Sequence, residues 1–128
     1  MKLALCNEVL QPLPFAQQCA WAAAAGYAGL EVSPFTLADD PQTLTTADAA
    51  RYKAIAADHG LAISGLHWLL VKPVGLSLVS TDDALQRRTL DLLRRLIDFA
   101  AACDAKVLVH GSPQQRSPQA GQSVEDAT

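Results

Sequence analysis

Short apolar runs alternate along this chain with longer stretches in which apolar residues recur at helical spacing. Residues 2–6 predict a first strand, followed by polar Asn7 and Glu8. Phe15, Cys19, Ala22, Ala23 and Gly26 then fall on one helical face, with Pro14 suited to the first helical position and Gly26 to the stop. Residues 27–32 predict a second strand that closes on Glu31, Ser33 and Pro34. Thr45 followed by Asp48 resembles a capping box, and the helix it opens runs to about His59 and stops at Gly60. Residues 61–66 predict a third strand, and His67 and Trp68 follow it.

The loop over residues 68–80 is longer than most connections, a length that points to function. Ser80 with Asp83 predicts the cap of the longest helix, whose buried stripe reads Leu85, Leu92, Leu93, Leu96, Ile97 and Ala100. Residues 106–109 predict a fourth strand, and it hands over to His110, Gly111, Ser112 and Pro113. Helix end, tight turn and apolar strand thus recur at residues 25–31, 58–64 and 103–109. Alternating strands and helices imply parallel pairing, in a doubly wound sheet or a (β/α) barrel.

A dinucleotide-binding sheet needs glycines in its first strand–helix turn, where the backbone approaches a pyrophosphate. Here that turn is Cys6-Asn7-Glu8-Val9, without glycine, so the barrel is favoured. A full barrel takes eight units and about 250 residues. These 128 residues supply about three and a half units, so the expectation is an α/β fold of partial TIM-barrel type over residues 1–128. Ser123-Val124-Glu125-Asp126 reads as the start of a further helix, which two more residues cannot complete. The expectation is a truncated barrel whose open strand edges favour self-association.

Composition narrows the function. Half the residues are apolar, 18% are charged, and the net charge is −3, which describes an ordinary globular domain with no pull on nucleic acid or anionic lipid. Arg87, Arg88, Arg94 and Arg95 lie off the apolar stripe and are countered by Asp82, Asp83, Asp91 and Asp98. Cys6, Cys19 and Cys103 are odd in number and widely spaced, which argues against a disulfide framework or a cysteine-based zinc site and for a reducing cytoplasm. No run is long enough for a leader or a membrane span.

In a parallel barrel, ligands bind beyond the carboxyl ends of the strands. His67 and His110 follow two apolar strands there, and each is read as hydrogen-bonding a substrate. Trp68 suits stacking on a sugar face, Gly111 close backbone approach, and Ser112 a hydroxyl contact. Glu8 and Glu31 end the first two strands and suit either substrate hydroxyls or an ion pair in the barrel mouth. Arg116 suits a phosphate or carboxylate, while His59 is a helix-end residue.

The segments over residues 5–10, 25–32, 65–70 and 108–113, in this order and spacing, resemble the sugar phosphate isomerase/epimerase family with its xylose isomerase-like TIM barrel. The resemblance covers nearly the whole chain but only the amino-terminal half of such a barrel. It implies a divalent-metal enzyme (Mn, Mg or Zn) acting on a sugar or polyol, with glutamates that move a proton beside a carbonyl through an enediolate. Those glutamates and the metal ligands come from later strands in the family, so no catalytic base or metal is expected within this chain alone. Apurinic endonucleases share the barrel and place zinc on early-strand histidines, which makes His67 and His110 the ligands of an alternative nuclease reading. The acidic charge speaks against DNA. A third reading is an inactive half-barrel with a structural or dimerising role.

Overall fold

Four parallel strands in the order β1-β2-β3-β4 form one sheet: β1 over Ala4–Cys6, β2 over Gly29–Val32, β3 over Ala62–His67 and β4 over Val107–Val109. Between them run α1 (Phe15–Ala24), α2 (Thr46–Asp58) and α3 (Asp83–Ala102). The computed structural model describes residues 1–118 and 121–125. This is the expected α/β architecture of a partial TIM barrel, with every strand pair parallel. No helix among the described residues is long and apolar enough to cross a membrane.

Strand order follows chain order because each helix returns the chain beside the strand it has just left. Leu30, Val32, Ile63 and Leu66 are buried, and they share one core with Cys19 and Ala22 of α1, Ala49 and Ala56 of α2, and Leu92, Leu96 and Phe99 of α3. Phe15, Tyr52 and Phe99 tie the three helices together, with ring centroids 5.0 Å apart for the first pair and 6.5 Å for the second.

Local capping decides where the helices begin. At α2 the capping box forms as read: Asp48 N–H donates to Thr45 Oγ1 at 3.1 Å, and Thr45 N–H donates back to Asp48 Oδ2 at 3.0 Å. At α3 the cap is Asp82 rather than Ser80. Its Oδ1 accepts from Ala84 N–H at 2.8 Å, a stronger cap because the acceptor is ionised and meets the positive end of the helix dipole. Ser80 Oγ instead accepts from Asp82 N–H at 3.1 Å, two residues ahead of the cap contact.

Further expectations are corrected. Ile97 lies on the exposed side of α3, and Phe99 takes its place in the buried stripe, because 100° per residue carries the core face through 92, 96 and 99. Pro14 occupies the cap position rather than the first helical turn. The predicted strands at 2–6, 27–32 and 106–109 shorten to the residues that pair, whereas β3 extends to include His67, which pairs with Val109. Of the helix start read at residues 123–126, Asp126 lies outside the described residues.

One irregularity shapes the sheet. Leu30 pairs with Ile63, but Glu31 pairs with Gly65, so Ser64 is an extra residue on β3. Ser64 Oγ turns back to donate to Leu30 O at 3.1 Å.

Candidate functional site

Side chains alternate between the two faces of a strand, so Cys6 and its register partner Glu31 project on the same side. Glu31 pairs in turn with Gly65, and His67 lies two residues further along that face. Three strands therefore deliver Cys6, Glu31 and His67 to one place at the carboxyl end of the sheet. Glu8 joins them from a 3-10 turn, Asn7–Leu10, that immediately follows β1.

His67 is 4% exposed and sits at the centre of this group. Its Nε2 lies 2.6 Å from Glu8 Oε2 and 2.9 Å from Ser33 Oγ, and the Ser33 hydroxyl donates to the same Glu8 oxygen at 3.2 Å. These contacts fix the tautomer. A bare Nε2 would hold a lone pair against a carboxylate at 2.6 Å, so Nε2 carries the proton and points it at Glu8. The other ring nitrogen, Nδ1, is buried with no hydrogen-bond partner among the described residues. It lies 3.8 Å from Glu31 Oε2, beyond hydrogen-bond range.

Ser33 is held in place by the wholly buried Asn7. Ser33 N–H donates to Asn7 Oδ1 at 2.8 Å, and Asn7 Nδ2 donates to Gln18 Oε1 at 3.0 Å and Thr36 Oγ1 at 2.7 Å. Every polar atom of that amide is satisfied, so the network is rigid enough to position its neighbours. The Cys6 thiol donates to Glu31 Oε2 at 3.3 Å. Burial, that hydrogen bond and the charges of Glu8 and Glu31 push its pKa up to about 11, which keeps the sulfur protonated at neutral pH.

Beside this network lies a cleft of about 190 Å³ lined by Trp68, Val71, Ser112, Pro113, Gln114 and Gln115. Trp68 is half-exposed at the exit of β3, with φ of 55°, a conformation in which a bulky residue costs about 1–3 kcal/mol. Ser112 is buried, and its Oγ accepts from Leu70 N–H at 3.2 Å, so the hydroxyl fastens the loop after Trp68. At Gly111 an added Cβ would meet Trp68 Cδ1 at 3.9 Å, ordinary contact, so the glycine is not required there for close approach. Arg116 is exposed at the end of a 3-10 turn, Pro113–Arg116.

His110 carries two ring nitrogens that are buried and unpartnered among the described residues. Burial, and then the neighbouring Arg116 charge, lower its pKa below the ordinary 6.5. Folding therefore weakens its hold on a proton. Its contribution to stability is complete above pH 6.5 and declines as the pH falls from there toward its folded value. The His110 ring protons are expected to titrate in NMR with a midpoint below 6.5; a midpoint at or above that value would contradict the buried environment.

Of the residues singled out from sequence, Glu8, Glu31 and His67 meet directly, whereas Trp68, Gly111, Ser112 and Arg116 belong to the adjoining cleft and its loop. Cys6, Asn7 and Ser33 were not among them. The available signal is position: Cys6 ends β1, and Ser33 directly follows β2, the strand that carries Glu31.

The model of the xylose isomerase-like TIM barrel family matches residues 19–127, and the chain belongs to that family. It includes sugar isomerases and epimerases and also apurinic-endonuclease-like members. No curated protein matches the sequence. Metal dependence is common in the family, and the described residues pass one test for it: Cys6, Glu31 and His67 bring a ligand atom each within 4.8 Å of one another. His110 contributes no atom to that group.

Proposed function

We propose that this chain forms the substrate-holding wall of a divalent-metal sugar or polyol isomerase or epimerase. The observation that carries the reading is the Trp68 cleft. An indole face held half-exposed at a barrel strand end, beside Gln114 and Gln115, offers both parts of carbohydrate recognition. The ring stacks on the C–H face of a sugar, and the amides bind its hydroxyls. Glu8, Glu31 and His67 gather at the same carboxyl end of the sheet, His110 follows β4 there, and Ser112 holds the loop that aims Trp68.

In this reading the proton-transfer groups come from later strands of the barrel. The divalent metal, when bound, supplies the positive charge that a carbanion beside a carbonyl requires. The chain's own part is to bind, orient and exclude water. Its net charge of −3 favours a neutral polyol over a nucleic acid, and three free cysteines support a reducing, cytoplasmic setting.

Trp68 and Trp21 are the two tryptophans, so a Trp21→Phe chain reports on Trp68 alone. Titration with a panel of aldoses, ketoses and polyols is expected to give a saturable fluorescence change with at least one of them. No response to any sugar, together with zinc-dependent incision of abasic duplex DNA, would move the assignment to the nuclease side of the family. Self-association belongs to the same proposal: Val107 and Val109 are exposed on β4, which pairs on one side only among the described residues. Sedimentation velocity is expected to show species larger than the 13.6 kDa monomer, and a single monomeric boundary would refute that part.

A further inference from the structure

We infer that Cys6 Sγ, Glu31 Oε2 and His67 Nδ1 form a three-ligand site for a zinc-type dication, with a fourth position open. The inference does not depend on the sugar reading, and it concerns residues of the first three strands rather than ligands from later ones.

Geometry comes first. Tetrahedral zinc with one sulfur and two nitrogen or oxygen ligands sets those atoms about 3.3–3.6 Å apart. Here sulfur and carboxylate oxygen are 3.3 Å apart, the oxygen and Nδ1 are 3.8 Å apart, and no pair exceeds 4.8 Å. The sulfur–oxygen spacing already fits, the oxygen–nitrogen spacing is a few tenths of an ångström wide, and the sulfur–nitrogen pair, within 4.8 Å, closes by rotation of the Cys6 and His67 side chains. Thiolate, imidazole and carboxylate together suit a borderline-soft dication and not magnesium or calcium.

The second observation is independent of that spacing. Nδ1 belongs to a side chain that is 4% exposed, and it has no partner among the described residues. The Glu8 contact holds the proton on Nε2, which leaves a lone pair on Nδ1 aimed at a carboxylate. A buried lone pair in that position is costly unless a cation lies between. Carboxylate, histidine and metal in series is also how metal-bound imidazoles are commonly oriented. Glu8 takes the outer place in that series.

Charge agrees. Glu8 and Glu31 have no lysine or arginine partner among the described residues, and His67 is the one base beside them. On binding, the Cys6 S–H bond breaks, its proton leaves the hydrogen bond to Glu31 for solvent, and the sulfur–metal bond forms. His67 gives its lone pair and releases no proton. Three protein ligands leave the fourth position for water or a substrate oxygen, as in sites that act on bound molecules rather than only bracing a fold.

Cobalt reports the sulfur ligand directly. Co²⁺ titration of the chelator-treated full chain is expected to produce a near-ultraviolet thiolate-to-cobalt band that saturates at one ion per chain and is displaced by Zn²⁺. The band is expected to vanish in Cys6→Ser and to survive in Cys19→Ala and Cys103→Ala. Glu8→Gln is expected to keep the band with affinity weaker by about 10–100-fold. In the unmodified chain, Zn²⁺ is expected to slow alkylation of Cys6 by iodoacetamide, mapped by mass spectrometry, which keeps the test open should Cys6→Ser fold poorly. No band in the unmodified chain, a band that persists without the Cys6 sulfur, or Cys6 alkylation indifferent to zinc would each overturn the site.

Discussion

Phe99→Ala is expected to destabilise the chain by about 3–5 kcal/mol, a large part of the roughly 5–15 kcal/mol that holds a domain of this kind together. Phe99 is 2% exposed, and its ring meets Tyr52, which meets Phe15 in turn, so a single truncation loosens the contact among α1, α2 and α3. The cavity opens beneath α3 where neighbouring Leu96 and Ala100 are already buried and offer little slack to refill it. Urea unfolding monitored by circular dichroism measures the loss. Ile97→Ala, two residues away on the exposed side, is expected to change stability by no more than about 0.5 kcal/mol. Equal losses at the two positions would mean that α3 packs through a different face.

Gly65→Ala is expected to cost about 3 kcal/mol and, unlike Phe99→Ala, to damage the site as well. A Cβ at this position would lie 2.7 Å from the backbone oxygen of Val107 and 3.3 Å from its Cβ. Backbone cannot swing aside as a side-chain tip can, so β4 must separate from β3 or the bulge at Ser64 must shift. Glu31 Oε1 would be 3.5 Å from the same Cβ, and His67 follows two residues later, so either response disturbs the Cys6, Glu31 and His67 arrangement. Gly29→Ala makes the comparison. It would meet Ala62 O at 2.6 Å, an equal clash at the opposite end of the strands. Both variants should lose similar stability, but only Gly65→Ala should shift the His67 ring resonances strongly. Matching shifts in the two would sever the link between the bulge and the site.

Much of the fold was legible because its causes are local. Gly26 and Gly60 follow their helices with φ of 84° and 72°, and Thr45 with Asp48 closes a capping box, all within a few residues of chain. The Asp82 cap is not legible in the sequence, because Ser80 and Asp82 both suit the position and sequence does not say which oxygen reaches the first free N–H groups. Ile97 was counted into the buried stripe for a similar reason. Helical spacing marks an apolar arc, but the partner packed against that arc decides its edges.

The site divides along the same line. His67, Glu8 and Glu31 were visible as polar residues where apolar strands end, and the family match over residues 19–127 agrees with the barrel those strands implied. Their mutual contact was not visible, since Glu8 and His67 are 59 residues apart in the chain. Cys6 carries no motif signal in the sequence, because three cysteines, odd in number and far from one another, give no motif.

By itself, then, the sequence determined the alternation of strands and helices, the parallel sheet and the end of it where chemistry would gather. These follow from periodicity and capping, which act within a few residues. Only the tertiary structure decided that Nε2 of His67 is taken by Glu8, that Nδ1 is left facing Glu31, and that Cys6 completes the group. Hydrogen-bond direction and ligand geometry are fixed to tenths of an ångström by the register of three strands and one bulge, and that register exists only once the sheet has formed.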